Sequence, residues 1–128
     1  MDAYKTHGAF SWSELMTTDP KAAVAFYGQL FGWASKDMDM GTGAYHVQNV
    51  GEAGVGGIMG MPPGTPAGMP PTWGCYVTVT NVDDTVAQVA KLGGKVVMPT
   101  MTVPGVGRMA VIADPQGAVL SVITYESA

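Results

Sequence analysis

The sequence has one cysteine, six basic residues and no long apolar run. Each shortage excludes a class of protein. The lone Cys75 closes no internal disulfide and builds no thiolate zinc cluster, so it is predicted to be a small buried hydrophobe, as free cysteine usually is. Six Lys and Arg against ten Asp and Glu leave a net charge of −4, and the basic residues are scattered, so no nucleic-acid footprint exists. No stretch approaches the roughly 20 apolar residues of a membrane helix. The opening Met1-Asp2-Ala3-Tyr4-Lys5 has no basic-then-apolar leader, from which a cytoplasmic protein is expected. Charged residues are few at 12% while 47% are hydrophobic, which excludes a disordered chain. A single domain over residues 1–128 is expected, long enough to bury most of its apolar surface.

What is abundant is glycine, at eighteen residues, and methionine, at ten. Methionine fills irregular apolar gaps and is over-used at adaptable binding surfaces, so it marks either ordinary core or a pliable pocket. The glycines punctuate short strand-like pieces, as hairpins require.

In "FSWSELM" alternation sets Phe10, Trp12, Glu14 and Met16 against Ser11, Ser13 and Leu15. Thr18 or Asp19 then caps a helix with Pro20 at its first position; Ala23, Phe26, Tyr27 and Leu30 recur at helical spacing, and Gly32 stops it. Strands are predicted over 33–37, 44–50 and 57–61. The second half repeats this order: a strand over 73–80, a helix capped by Asn81 or Asp83 and ended by Gly93-Gly94, and strands over 95–98, 108–113 and 119–125. "DPQG" makes a tight turn before the last of them. Trp12 and Trp73, Gly32 and Gly93, and Gly56 and Gly117 each lie 61 residues apart. This constant offset predicts two βαβββ modules, over 8–61 and 73–126, joined by the Pro/Gly-rich connection 62–72.

Paired modules carrying "WSELMTTDPKAAVAFYGQLFGW", "GVGGIMGMPPG", "VDDTVAQVAKLGGKVV" and "VPGVGRMAVIADPQGAVLSVI" resemble the vicinal oxygen chelate superfamily of glyoxalase, bleomycin-resistance proteins and extradiol dioxygenases, in its glyoxalase-like branch. The resemblance implies an α+β fold in which the two modules form a curved mixed sheet around a central cup. It also implies a divalent metal held by a histidine or equivalent on a module's first strand and a glutamate on its last. Carried over, those positions are Trp12 and Trp73, with Gly60 and Ser121, and none is a usual ligand. The expectation is therefore that the inherited metal site is lost, with no metal and no cofactor.

Two indoles related by the repeat would then face the cup, either walling a site for a planar ligand or plugging it. Candidate ligand-binding residues are Trp12, Glu14, Met16, Met59, Trp73, Arg108, Ser121 and Tyr125. Glu14 shares the strand face of Trp12 and is the candidate acid–base; a bulge would instead turn it to solvent. Arg108 either clamps an anion or pairs with an acidic neighbour. Neither histidine, His7 or His46, lies at an inherited ligand position. The expected function is metal-independent binding, in the form of sequestration, of a small apolar or aromatic compound. The alternative is a glyoxalase-like lyase or isomerase, or a hydroxylase-like enzyme, metal-free or with a rebuilt metal site. The expected partners are a small-molecule ligand and, because family members often pair and strand edges are exposed, a second copy in a homodimer, with no nucleic acid and no membrane.

Overall fold

The computed structural model describes residues 1–39 and 43–126. Its eight strands and two helices are α+β, in the order β1 (Phe10–Thr17), α1 (Pro20–Phe31), β2 (Ala34–Asp39), β3 (Ala44–Val50), β4 (Ala53–Gly60), β5 (Thr72–Thr78), α2 (Val82–Val89), β6 (Lys95–Val103), β7 (Gly107–Ala113) and β8 (Val119–Tyr125). The predicted βαβββ order thus appears twice. By contacts the chain divides into one compact unit of Trp12–Gly74 and another of Met1–Ser11 with Cys75–Ala128.

In the Trp12–Gly74 unit the strands run β2-β3-β4-β1. β1 lies parallel to β4, with Glu14 opposite Gly57, Leu15 opposite Ile58 and Met16 opposite Met59, while β2, β3 and β4 pair antiparallel. Asp19 caps α1 by accepting from the Ala22 N–H at 3.1 Å, Pro20 takes the first position, and Gly32 ends it in a left-handed conformation (φ 76°). Only glycine adopts that conformation without a Cβ penalty. The buried Leu15 and Ile58 face α1's side of the sheet, since Gly60 on the same face approaches Pro20.

In the other unit the order is β5-β8-β7-β6, with β5 parallel to β8 and Tyr76 opposite Ser121. Asn81, not Asp83, caps α2, accepting from the Asp84 N–H at 3.0 Å; Asp83 and Asp84 in the first turn suit the helix dipole. The core is Val79, Val82, Ala110 and Val122, packed by Val86 and Ile112. The helix ends at Val89, short of the Gly93-Gly94 stop expected for it, and Leu92 beyond it is exposed. β6 runs past its expected end at Met98 because irregularities in the ladder absorb Pro99, which has no N–H to pair. Cys75 is exposed, not buried as expected: the first four residues of β5 are all uncovered.

Candidate functional site

The faces of the two sheets decide which predicted residues meet. Successive side chains alternate between faces, and laddered partners share one. In the Trp12–Gly74 unit the face away from α1 carries Trp12, Glu14 and Met16 of β1, Gly57 and Met59 of β4, and Tyr45 and Val47 of β3. Trp12 Nε1 donates to Tyr45 Oη at 2.8 Å, so the indole N–H is already spent within the protein. The two rings meet over β4, where side chains are missing. The outer edge of the Trp12 indole lies 3.5 Å from where a Cβ on Gly54 would stand, and a Cβ on Gly57 would overlap the Tyr45 ring and hydroxyl. Glu14, opposite Gly57, is only 7% exposed. The half-buried Met16 and Met59 lie side by side one ladder step on. This face therefore offers two aromatic rings joined by a hydrogen bond, two thioethers and one buried carboxylate.

Trp73 is not part of it. Its indole N–H donates to Tyr27 Oη of α1 at 3.1 Å, and its ring meets those of Tyr27 and Trp33 edge-on. The 61-residue offset misled here. The N-caps Asp19 and Asn81 stand 62 apart (19 to 81), and Leu15 and Val77, both on the helix side, keep the same separation (15 to 77). The counterpart of Trp12 is therefore Gly74, and alternation turns the neighbouring Trp73 to the other face. The last strands are displaced further. Tyr76 opposite Ser121 matches Glu14 opposite Gly57, so the counterpart of Ser121 is Gly57 and not Gly60, which shares the helix side with Ile58.

At the positions inherited for metal ligation the chain thus presents an indole (Trp12), two glycines (Gly74 and Gly57) and a hydroxyl (Ser121). These do not fit a catalytic divalent ion, which takes imidazole, carboxylate or thiolate. Among the described residues no three His, Cys, Asp or Glu side chains are grouped to hold one.

The remaining candidates are engaged elsewhere. Ser121 and Tyr125 share the helix-free face of their own sheet with Tyr76 and Met109. Tyr125 Oη is 2.7 Å from Ser11 Oγ, and its ring is met edge-on by Tyr4. Burial pushes its phenol above the usual value, with the Ser11 hydrogen bond acting in the opposite direction. Arg108 lies on the α2 side and grips Asp83 with two hydrogen bonds of 2.9 Å, adding a third to Thr102 Oγ1 at 3.0 Å. The bond from Arg108 holds the Asp83 carboxyl below its usual range, and the same bond raises the guanidinium. Of the two readings of Arg108, the structure shows the ion pair.

Two pairings were not anticipated from the sequence. His46 Nδ1 lies 2.6 Å from Asp37 Oδ1, and on the next rung the fully buried Gln48 donates to Ser35 Oγ at 2.9 Å and His46 O at 3.1 Å. Both lie on the α1 side of the sheet, where alternation of polar residues along β2 and β3 could have revealed them. His7, exposed, accepts the Thr80 N–H at 2.9 Å.

Comparison with known proteins adds three findings. Residues 9–122 match the model of the Glyoxalase/Bleomycin resistance protein/Dioxygenase superfamily. "Putative glyoxylase CFP32" of Mycobacterium tuberculosis is 43% identical over 113 residues, which are 87% of this chain and 43% of that protein. The anthracycline biosynthesis protein DnrV of Streptomyces peucetius is 35% identical over 127 residues, 90% of this chain and 46% of that one. The chain therefore spans less than half the length of these curated relatives. Among solved structures, methylmalonyl-CoA epimerase from Mycobacterium tuberculosis superposes with a TM-score of 0.69 at 13% identity, covering 94% of this chain and 89% of that one, a likeness of fold. Among the described residues no helix is long and apolar enough to cross a membrane.

Proposed function

The chain belongs to the Glyoxalase/Bleomycin resistance protein/Dioxygenase superfamily, and from that premise we propose that it binds a small planar apolar or aromatic compound, without a metal, on the face built by Trp12, Tyr45, Met16 and Met59. The observation that carries this reading is the Trp12–Tyr45 pair lying over a glycine-rich strand. With the indole N–H bonded to the phenol, the pair offers a ligand ring faces, and stacking rewards a flat partner. The adjacent methionines adapt to its outline. The name of DnrV supports a ligand of this kind, since anthracyclines contain fused planar rings. The donor set at the inherited metal positions supports the metal-free form.

Glu14 favours one second reading. A carboxylate 7% exposed on the same face as the aromatic pair supports proton transfer to or from a bound compound, in keeping with the enzymes of the superfamily. In that reading the protein is a metal-free, glyoxalase-like enzyme with Glu14 as its acid–base.

Tryptophan emission titrated with planar polycyclic compounds tests binding. A compound that quenches emission should bind Trp12→Ala at least about tenfold more weakly, a loss of roughly 1.4 kcal/mol, and Trp73→Phe unchanged. Equal affinity in Trp12→Ala, or quenching traced to Trp73, overturns the site. Glu14→Gln separates the readings, abolishing turnover in the enzymatic one while leaving affinity in place.

A further inference from the structure

Strand β2 is the edge strand of its unit, and it sorts its side chains by charge. Lys36 lies opposite Val47 and Met38 opposite Tyr45, so both share the face of Trp12 and Glu14. The alternating Asp37 and Asp39 lie opposite His46 and Ala44 on the α1 side, where His46 engages Asp37 at 2.6 Å. Of these charges only the Lys36 ammonium is on the aromatic face.

Carried across the ladder, Met38, Tyr45, Met59 and Met16 form one continuous row over four strands. Its three interstrand steps make it about 14 Å long. The row beside it runs Lys36, Val47, Gly57 and Glu14, with a charge at each end. Those two charges do not neutralise each other. The same three steps separate their strands, and the Tyr45 ring stands over Gly57 between them. Glu14 is buried, whereas Lys36 is exposed and, among the described residues, has no ion-pair partner. The only other basic residue between Trp12 and Gly74 is Lys21, on α1. A ligand on this face therefore meets one cation, at the β2 end of the row.

Resting on the reading that planar compounds bind this face, we propose a narrower class for them: an elongated planar polycycle carrying an acidic substituent. Its rings lie along the row from Met38 to Met16, and its anionic oxygen meets Lys36 Nζ. Ring faces and thioethers reward flatness and area but do not select an acid. Lys36 supplies that selection, because a charge pair beside apolar side chains is stronger than one in bulk water. Lys36 is thus a specificity-determining residue, and Met16, at the opposite end, sets the length of compound that gains.

Calorimetric titration with matched compounds tests this: anthraquinone carboxylic acid, its uncharged carboxamide, and the shorter naphthoic acid. The anthraquinone acid should bind about fivefold more tightly than its amide, the upper end for a partly exposed ion pair. That preference should shrink as ionic strength rises from about 0.01 M to about 1 M. Lys36→Met should erase it without weakening the amide, while Lys21→Met keeps it. Met16→Ala should weaken the anthraquinone acid at least about threefold through lost apolar cover and leave naphthoic acid unchanged. Both lysines are exposed, and far-ultraviolet dichroism confirms that each variant is folded. If acid and amide bind alike, and both need Trp12, the proposal fails while the site stands. A preference that survives Lys36→Met, or a Met16→Ala loss equal for both acids, also overturns it. If no compound binds, or binding is indifferent to Trp12→Ala, the underlying reading of the face fails with it.

Discussion

Trp12 and Tyr45 are joined by one hydrogen bond across an intervening strand: β1 and β3 flank β4, and the indole and phenol reach each other over it. That reach depends on missing atoms. A Cβ on Gly57 would overlap the Tyr45 ring, whereas one on Gly54 would meet Trp12, Val47 and Asn49 no closer than 3.5 Å, which is ordinary contact.

Gly57→Ala should therefore destabilise the protein by about 1–3 kcal/mol, as overpacking does, and weaken planar-ligand binding together with it. Gly54→Ala should lie within about 0.5 kcal/mol of the parent. Urea unfolding measures both. Adding Tyr45→Ala to Gly57→Ala should recover part of the loss, a non-additivity confined to residues in contact. Equal costs at the two glycines would refute the argument.

The elements were legible in the sequence because local signals agreed. Asp19, Pro20 and Gly32 bracket α1, and alternation marked β1 and β8. The relation between the modules was less so. A separation of 61 holds at Gly32 and Gly93 and at the starts of β2 and β6, yet is 62 at the first strands and 64 between Gly57 and Ser121. One residue of slip in a strand reverses every side chain, so a single offset of 61 carried through every element assigned Trp73 to the wrong face. The destinations of Arg108 and Tyr125 were illegible for a different reason. Asp83 and Ser11 are 25 and 114 residues away, and only the fold brings them together.

Tyr125 gives a dependence on alkaline pH. Burial raises its phenol pKa in the folded state above the unfolded value near 10. Between the two values the unfolded chain has released the proton and the folded chain keeps it, so stability falls as pH rises. The contribution is complete below about pH 10 and is lost as pH climbs through the folded value. Tyr125→Phe should flatten this slope while leaving the neutral-pH midpoint lower by about 0.5–1.5 kcal/mol for the lost Ser11 bond. Urea midpoints from pH 8 to 11, compared with phenolate absorbance, check it; an unchanged slope would refute it.

Gln48 sits fully buried with both donations made and, among the described residues, its Oε1 without a hydrogen-bond partner. An unsatisfied buried acceptor costs about 1–3 kcal/mol, and a side chain that removes it keeps the packing while shedding that cost. Gln48→Met conserves length and volume, forfeits two modest bonds, and should change stability by less than about 1 kcal/mol. Gln48→Glu should instead destabilise by roughly 3 kcal/mol or more at pH 7, because it buries a charge against the His46 carbonyl. Burial would raise that carboxyl's folded pKa, so the penalty should be absent below the unfolded value near 4.3 and grow as pH rises. Urea unfolding at pH 4 and pH 7 distinguishes the two variants. A loss of several kcal/mol in Gln48→Met at both pH values would mean that Oε1 holds an ordered water the fold depends on, and that the orphaned acceptor is no burden.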